Sequence, residues 1–239
     1  MNFYYLCTLK HTKMKIKQLI LASMAVFLPY LCHAQSISPS AVYTNDEGAQ
    51  TESHDNIAGQ APLSVNFYAN PSGMDGLDPI YEWHFRLTGE EKDLMVRYEE
   101  NTDYTFTNAG VTRVTLIVKI NGNTEVLDSA TFVVTVSESK LIFPNAFSPN
   151  GDEKNPTFRP KEYQSLVEFH AYIFNRWGHK LYEWTDPSAD GWDGTFNGKP
   201  VKDGVYFLLC KAKGADGRVY NIRKDVNLLR GYIETIDHE

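Results

Sequence analysis

Cysteine is scarce in this chain, with three residues among 239, at positions 7, 32 and 210. The first two fall in an N-terminal leader, so Cys210 is left alone and neither an intramolecular disulfide nor a cysteine zinc site can form after cleavage. Cys210 stands in an alternating apolar run and reads as a small buried hydrophobe. Catalytic signatures are missing too: there is no His-Glu-x-x-His, no Gly-x-Ser-x-Gly and no phosphate-cradling glycine loop. The histidines outside the leader (His54, His84, His170, His179, His238) are scattered. Basic excess is lacking as well. The formal charge is −7, and removing the leader's four lysines (Lys10, Lys13, Lys15, Lys17) takes it to −11. Such a chain has no electrostatic reason to hold nucleic acid or an anionic membrane, while its acids suit divalent cations. Finally, no amphipathic helix of useful length is present, and the longest apolar run is too short to span a bilayer comfortably. The chain reads as not transmembrane.

That run belongs to residues 1–34. A lysine-bearing start, the apolar "LILASMAVFLPYLCHA" broken by Pro29, and a small residue before Gln35 make a secretory signal peptide cleaved after Ala34. Met14 is an alternative start, because "MKIKQLILASMAVFLPYLCHAQ" alone has ordinary signal proportions. Cys32 raises a lipoprotein alternative, for which Pro29, Tyr30 and Leu31 are poor neighbours.

What the chain does have is period-two alternation. "PLSVNFYA", "GVTRVTLIVKI" and "ATFVVTV" place apolar residues at every second position, the pattern of half-buried antiparallel strands. Asn121-Gly122 supplies a hairpin turn between the last two. Short strands separated by turn signals predict an all-β chain of two consecutive antiparallel β-sandwich domains. The boundary falls at residues 138–140, a short linker. The first domain covers 38–137 and includes part of a polar lead-in (35–58), which reads as loosely ordered with one edge strand at "SAVYT"; the second covers 141–239. With both sandwiches assigned, no segment is left for a catalytic domain, and the chain reads as non-enzymatic.

"APLSVNFYA", "YEWHF" with Trp83, "DYTFTNAGVTRVTLIVKI" and "ATFVVTV" resemble a polycystic-kidney-disease (PKD) domain, an immunoglobulin-like sandwich common in bacterial surface proteins. The family's Trp-Asp-Phe-Gly-Asp-Gly is replaced here by Trp83-His84-Phe85-Arg86-Leu87-Thr88. Trp83 reads as a core plug with Tyr104 and Phe106 packed nearby, and His84 points to the opposite face.

"FPNAFSPNGDEKNPTFRP", "FHAYIFNRWGHKLYEW", "DGWDGTFNGKPVKDGVYFLLCKAKGADG" and "VNLLR" resemble the gliding-motility-associated C-terminal domain, the type B sorting domain of type IX secretion cargo. This resemblance implies a β-sandwich that takes a periplasmic protein through the outer membrane to the cell surface or medium. The implied partners are the secretion machinery and an outer-membrane barrel protein. A surface polysaccharide or protein is a further partner class, and the runner-up functions are an adhesive carbohydrate-binding module and an accessory of the secretion or gliding apparatus. The chain departs from the family at Glu153 and Pro156, and "GYIETIDHE" follows Leu229-Arg230, where such domains commonly stop.

Two loops hold candidate calcium ligands, the one cofactor in view. Asn150, Asp152 and Asn155 offer oxygens around Gly151, with Lys154 among them, and Asp190 and Asp193 flank Trp192. A plain turn is the simpler reading of each loop, with Pro149 and Gly151 setting the first and Trp192 folded onto a sheet in the second. For sorting, the residues of interest are Arg176, Trp177, Gly178 and Trp192. In "YIFNRWGHKLYEW", Tyr172 and Phe174 share one face and Ile173 and Trp177 the other, in a hairpin closed at Gly178. "GVYFLLCKAKG" is apolar on both faces, as suits a central strand covered on both sides.

Overall fold

The computed structural model describes residues 35–123 and 125–231, and these contain strands and turns with no helix. The leader (1–34) and the tail from residue 232 onward lie outside the described residues. Up to Val136 the strands are β1 (Ser36–Ile37), β2 (Ser40–Thr44), β3 (Gln50–Ser53), β4 (Asn56–Gly59), β5 (Leu63–Tyr68), β6 (Pro71–Ser72), β7 (Pro79–Leu87), β8 (Met95–Arg97), β9 (Asn101–Phe106), β10 (Gly110–Ile120) and β11 (Val126–Val136). They form two facing sheets, β3-β2-β5-β9 and β4-β11-β10-β7-β8.

Alternation decides what fills the space between them. Every second residue of β5, β7, β10 and β11 turns inward, and Phe67, Trp83, Phe85 and Phe132 meet at the centre. Trp83 is fully buried, and its indole N–H donates to the Glu99 carbonyl at 3.0 Å, so its polar atom is satisfied. Tyr104 and Phe106 pack on Phe85 rather than on Trp83 itself. His84 faces outward, with Nδ1 2.8 Å from Asp93. The stretch that departs from the PKD pattern simply continues strand β7 through Leu87.

The lead-in differs from expectation. Residues 35–58 carry β1 to β4, and β2 is an interior strand between β3 and β5. Their polarity lies on the solvent side, while Ser40, Ala41 and Ile57 are buried. What orders β4 is parallel pairing with β11, far away in sequence and therefore silent in local composition.

Beyond Ser139 come β12 (Lys140–Ile142), β13 (Ala146–Phe147), β14 (Glu162–Gln164), β15 (Leu166–Phe174), β16 (Lys180–Trp184), β17 (Thr195–Phe196), β18 (Lys199–Pro200), β19 (Gly204–Gly214) and β20 (Val219–Leu228). One sheet runs β13-β20-β19-β15-β16. Its inner face packs on Leu141 of β12, on Phe143 and on the bridged pair Phe158 and Trp192. Phe143, Phe147, Phe158, Trp184 and Trp192 fill this second core.

The two cores touch. Ala215, in the turn after β19, is buried in the first core, and Val167 packs against it. Ser165, 2% exposed and at positive φ, accepts from Ala61 N at 3.2 Å and lies 2.8 Å from the Ser137 hydroxyl. Ser139 is buried too, and its hydroxyl donates to Asp216 at 2.7 Å.

Candidate functional site

Strand β19 is central in its sheet, but only its inner face is covered. Tyr206, Leu208, Cys210 and Ala212 are buried, whereas Val205 and Phe207 on the other face are each 40% exposed. That overturns the expectation of a strand covered on both sides: the second apolar face looks outward. Register extends it into a patch, because Phe207 stands beside Phe174 and the half-buried Leu209 beside Tyr172. His170, Tyr172 and Phe174 stack along β15, and Lys180 lies over the Tyr172 ring at 5.6 Å.

The turn joining β15 to β16 stands at the end of this patch. Asn175 organises it: its side-chain oxygen accepts from Trp177 N and His179 N, both at 3.0 Å, and its carbonyl accepts from Gly178 N at 3.0 Å. Gly178 has φ +77°, which a side chain would strain. Trp177 is consequently presented on a fixed turn at 82% exposure, with the Arg176 guanidinium 5.6 Å from its ring. Alternation stops at Phe174, so Trp177 does not share the inner face with Ile173, which is fully buried. Beneath the turn is a groove of about 450 Å³ lined by His179, Leu181, Phe196 and Val205 among others.

Trp192 belongs elsewhere. It is fully buried against Phe147 and Tyr206, and its indole N–H donates to the Thr195 carbonyl at 2.8 Å. The exposed sorting candidates are therefore Arg176, Trp177 and Gly178, and Trp192 is corrected to a core residue. Its burial explains the glycines around it. A Cβ on Gly191 would come 2.4 Å from the Phe158 carbonyl oxygen, and one on Gly194 2.8 Å from Leu228, and both glycines have positive φ. Sequence reasoning missed Phe158, which exchanges two backbone hydrogen bonds with Trp192 and ties the two candidate calcium loops together.

Within the first loop the oxygens serve the turn. Asn150 Oδ1 accepts from Asp152 N at 3.0 Å, Asp152 accepts from the Asn150 amide at 2.8 Å and from Lys154 N at 2.9 Å, and the Asn155 carbonyl accepts from Ser148 N. The Asn150 amide, ahead of the Lys154 N–H, holds the Asp152 carboxyl below its ordinary range. In the second loop, Asp193 accepts from the Thr195 N–H and hydroxyl, while Asp190 takes no such bond among the described residues. Among the described residues, no three His, Cys, Asp or Glu side chains converge in a metal-holding group.

The model of the CHU_C type IX secretion signal domain matches residues 141–223, the segment that carries this turn, groove and loops. No curated protein sequence matches the chain. Among solved structures, the FN1–FN3 domains of chicken CNTN1 align at 8% identity over 73% of this chain and 70% of that one, with a TM-score of 0.24. Dimeric latent PorU from Porphyromonas gingivalis aligns at 16% identity over 80% of this chain, with the same TM-score, and only 20% of its own length is covered. Superpositions this loose carry no argument. The secretion signal domain makes the chain a cargo of the type IX system, exported across the outer membrane to the cell surface or the medium.

Proposed function

We propose that the export machinery reads this cargo at the Arg176-Trp177-Gly178 turn and the apolar face beside it. The carrying observation is Trp177, held almost fully in solvent by a turn that Asn175 fixes with side-chain and backbone bonds. A rigid exposed tryptophan with a stacked arginine is the kind of anchor that dominates protein interfaces, since little entropy is lost when it docks. Phe207 and Val205 extend the contact, and an outer-membrane barrel protein of the secretion system is the partner this reading names. The first sandwich, PKD-like and non-enzymatic, acts as an interaction module or spacer carried by that signal.

The experiment is export of the full chain in a host with the type IX system and in one lacking it. Wild-type protein is expected outside the competent host alone. Trp177→Ala and Arg176→Ala are expected to accumulate, folded, in the periplasm. Normal export of the double variant would remove the turn from the recognition surface while leaving the secretion signal domain in place.

A further inference from the structure

A second cleft, of about 590 Å³, opens between edge strand β16 and the β17–β18 hairpin. Tyr182 and Leu181 come from β16 and Phe196 from β17, with Arg159, Asp190 and Asn197 around them. Leu181 and Phe196 also line the groove beneath Trp177, so the two depressions adjoin and together suit an extended ligand.

The chemistry of the lining selects the ligand. Tyr182 and Phe196 are half-buried rings that offer apolar faces without being sealed in the core. Asp190, Arg159 and Asn197 are exposed, and their side chains make no hydrogen bond or ion pair among the described residues. A carboxylate, a guanidinium and an amide together provide two-atom acceptors and donors, the complement of paired ring hydroxyls. Asp193, in contrast, is engaged by Thr195. Tyr182, Asp190 and Asp193 line the same cleft, and the Tyr182 phenol is pushed up first by burial and then by the Asp193 and Asp190 charges.

Charge and backbone narrow the class further. Asp190 and Asp193 against the single Arg159 leave the lining slightly negative, which disfavours an acidic polymer. Strand β16 is a poor template for an added peptide strand, because Lys180 and Glu183 charge it and its pairing with β15 shifts register at Phe174. The walls are firm, since Trp192 is locked to Phe158 by two backbone bonds and Gly191 lies close against the Phe158 carbonyl.

We propose that this cleft binds a neutral, hydroxyl-rich oligosaccharide chain, with the Tyr182 and Phe196 rings against sugar faces and Asp190, Arg159 and Asn197 on hydroxyls. Binding of that kind holds an exported cargo at a glycan-covered surface by contacts separate from the Trp177 turn.

Affinity electrophoresis of the purified protein tests it, in native gels cast with a neutral β-glucan, a mannan or a xylan, and with alginate as the carboxylated control. Retardation by at least one neutral polymer is expected. Asp190→Ala and Arg159→Ala, both at exposed positions, are expected to weaken it about tenfold, the loss of roughly one charge-assisted hydrogen bond. Tyr182→Ala is expected to weaken it further, and Trp177→Ala to leave the Tyr182 dependence intact. Migration unchanged in every neutral gel overturns the proposal, as does retardation that the Asp190 and Arg159 variants retain in full. Retardation by alginate alone overturns it in favour of simple charge attraction. Binding of an extended peptide with hydrogen-exchange protection along β16 overturns it in favour of strand addition.

Discussion

The Ala215 carbonyl accepts a hydrogen bond from Ala109 N at 3.0 Å, although one alanine follows β19 and the other lies between β9 and β10. Ser165 repeats the connection from its own side, accepting from Ala61 N and meeting the Ser137 hydroxyl. Buried polar atoms bonded across a junction couple the stabilities of the parts they join. The described chain is expected to unfold in urea as one cooperative transition, seen alike by tryptophan fluorescence and circular dichroism. Ser165→Ala orphans the Ala61 N–H and is expected to cost about 1–3 kcal/mol. Two separated transitions in the wild-type protein would count against the coupling.

How legible was this beforehand? The long strands were, because β5, β7, β10 and the C-terminal half of β11 alternate and bury Leu63, Trp83, Val114 and Phe132 with their i+2 neighbours as that pattern demands. Strand β2 was legible at "SAVYT", but as an edge rather than an interior strand, and β1, β3 and β4 were not legible at all: short, polar on one side and ordered by distant partners such as β11, they leave little local signal. The apolar double face of "GVYFLLCKAKG" was visible, but covered and uncovered faces look alike in sequence, and Phe207 turned out to be exposed. Trp177 and Trp192 sit in similar glycine-flanked stretches, yet one is 82% exposed and the other fully buried. The difference lies in Phe158, whose pairing with Trp192 no local spacing announces.

Those two tryptophans give opposite expectations for stability. Trp192→Ala empties a site packed by Phe147 and Tyr206 and abandons the bond to Thr195, so a loss of about 3–5 kcal/mol is expected. Trp177→Ala removes a side chain that buries almost nothing and should stay within about 0.5 kcal/mol of wild type. Urea midpoints of the two variants, measured side by side, check the pair. A large loss at Trp177 would make that residue structural and weaken its assignment to recognition.

Cys210 is fully buried, and burial pushes its thiol up to about 12. The thiolate is the reactive form, so at neutral pH the side chain should be inert toward iodoacetamide. Modification is expected only after denaturant unfolds the chain, and its rate should follow the unfolded fraction. Labelling of the native protein at the rate of a free thiol would show that β19 is not sealed on its inner face.

Asp93 provides the acid dependence. Arg86 Nε donates to one of its oxygens at 2.7 Å and His84 Nδ1 lies 2.8 Å from the other; the Arg86 bond, then the His84 bond, hold the carboxyl below its ordinary range. A carboxyl depressed in the folded state contributes stability above its unfolded pKa, about 3.9, and loses that contribution as pH falls through the folded value. Glu82 is lowered as well, chiefly by its bond to Lys119, and adds to the same window. Asp93→Asn is therefore expected to be less stable than wild type at pH 7 and to lose less on acidification, so that the gap between their urea midpoints narrows from about pH 4 downward. The narrowing need not be complete at any pH where the folded Asp93 is still ionised, and the Glu82 contribution should persist in the variant. Midpoints at half-unit steps from pH 7 to pH 2.5 make the comparison. Curves that run parallel throughout would mean that Asp93 titrates alike in folded and unfolded chains, and that the Arg86 and His84 bonds add no charge-dependent stability to the first sandwich.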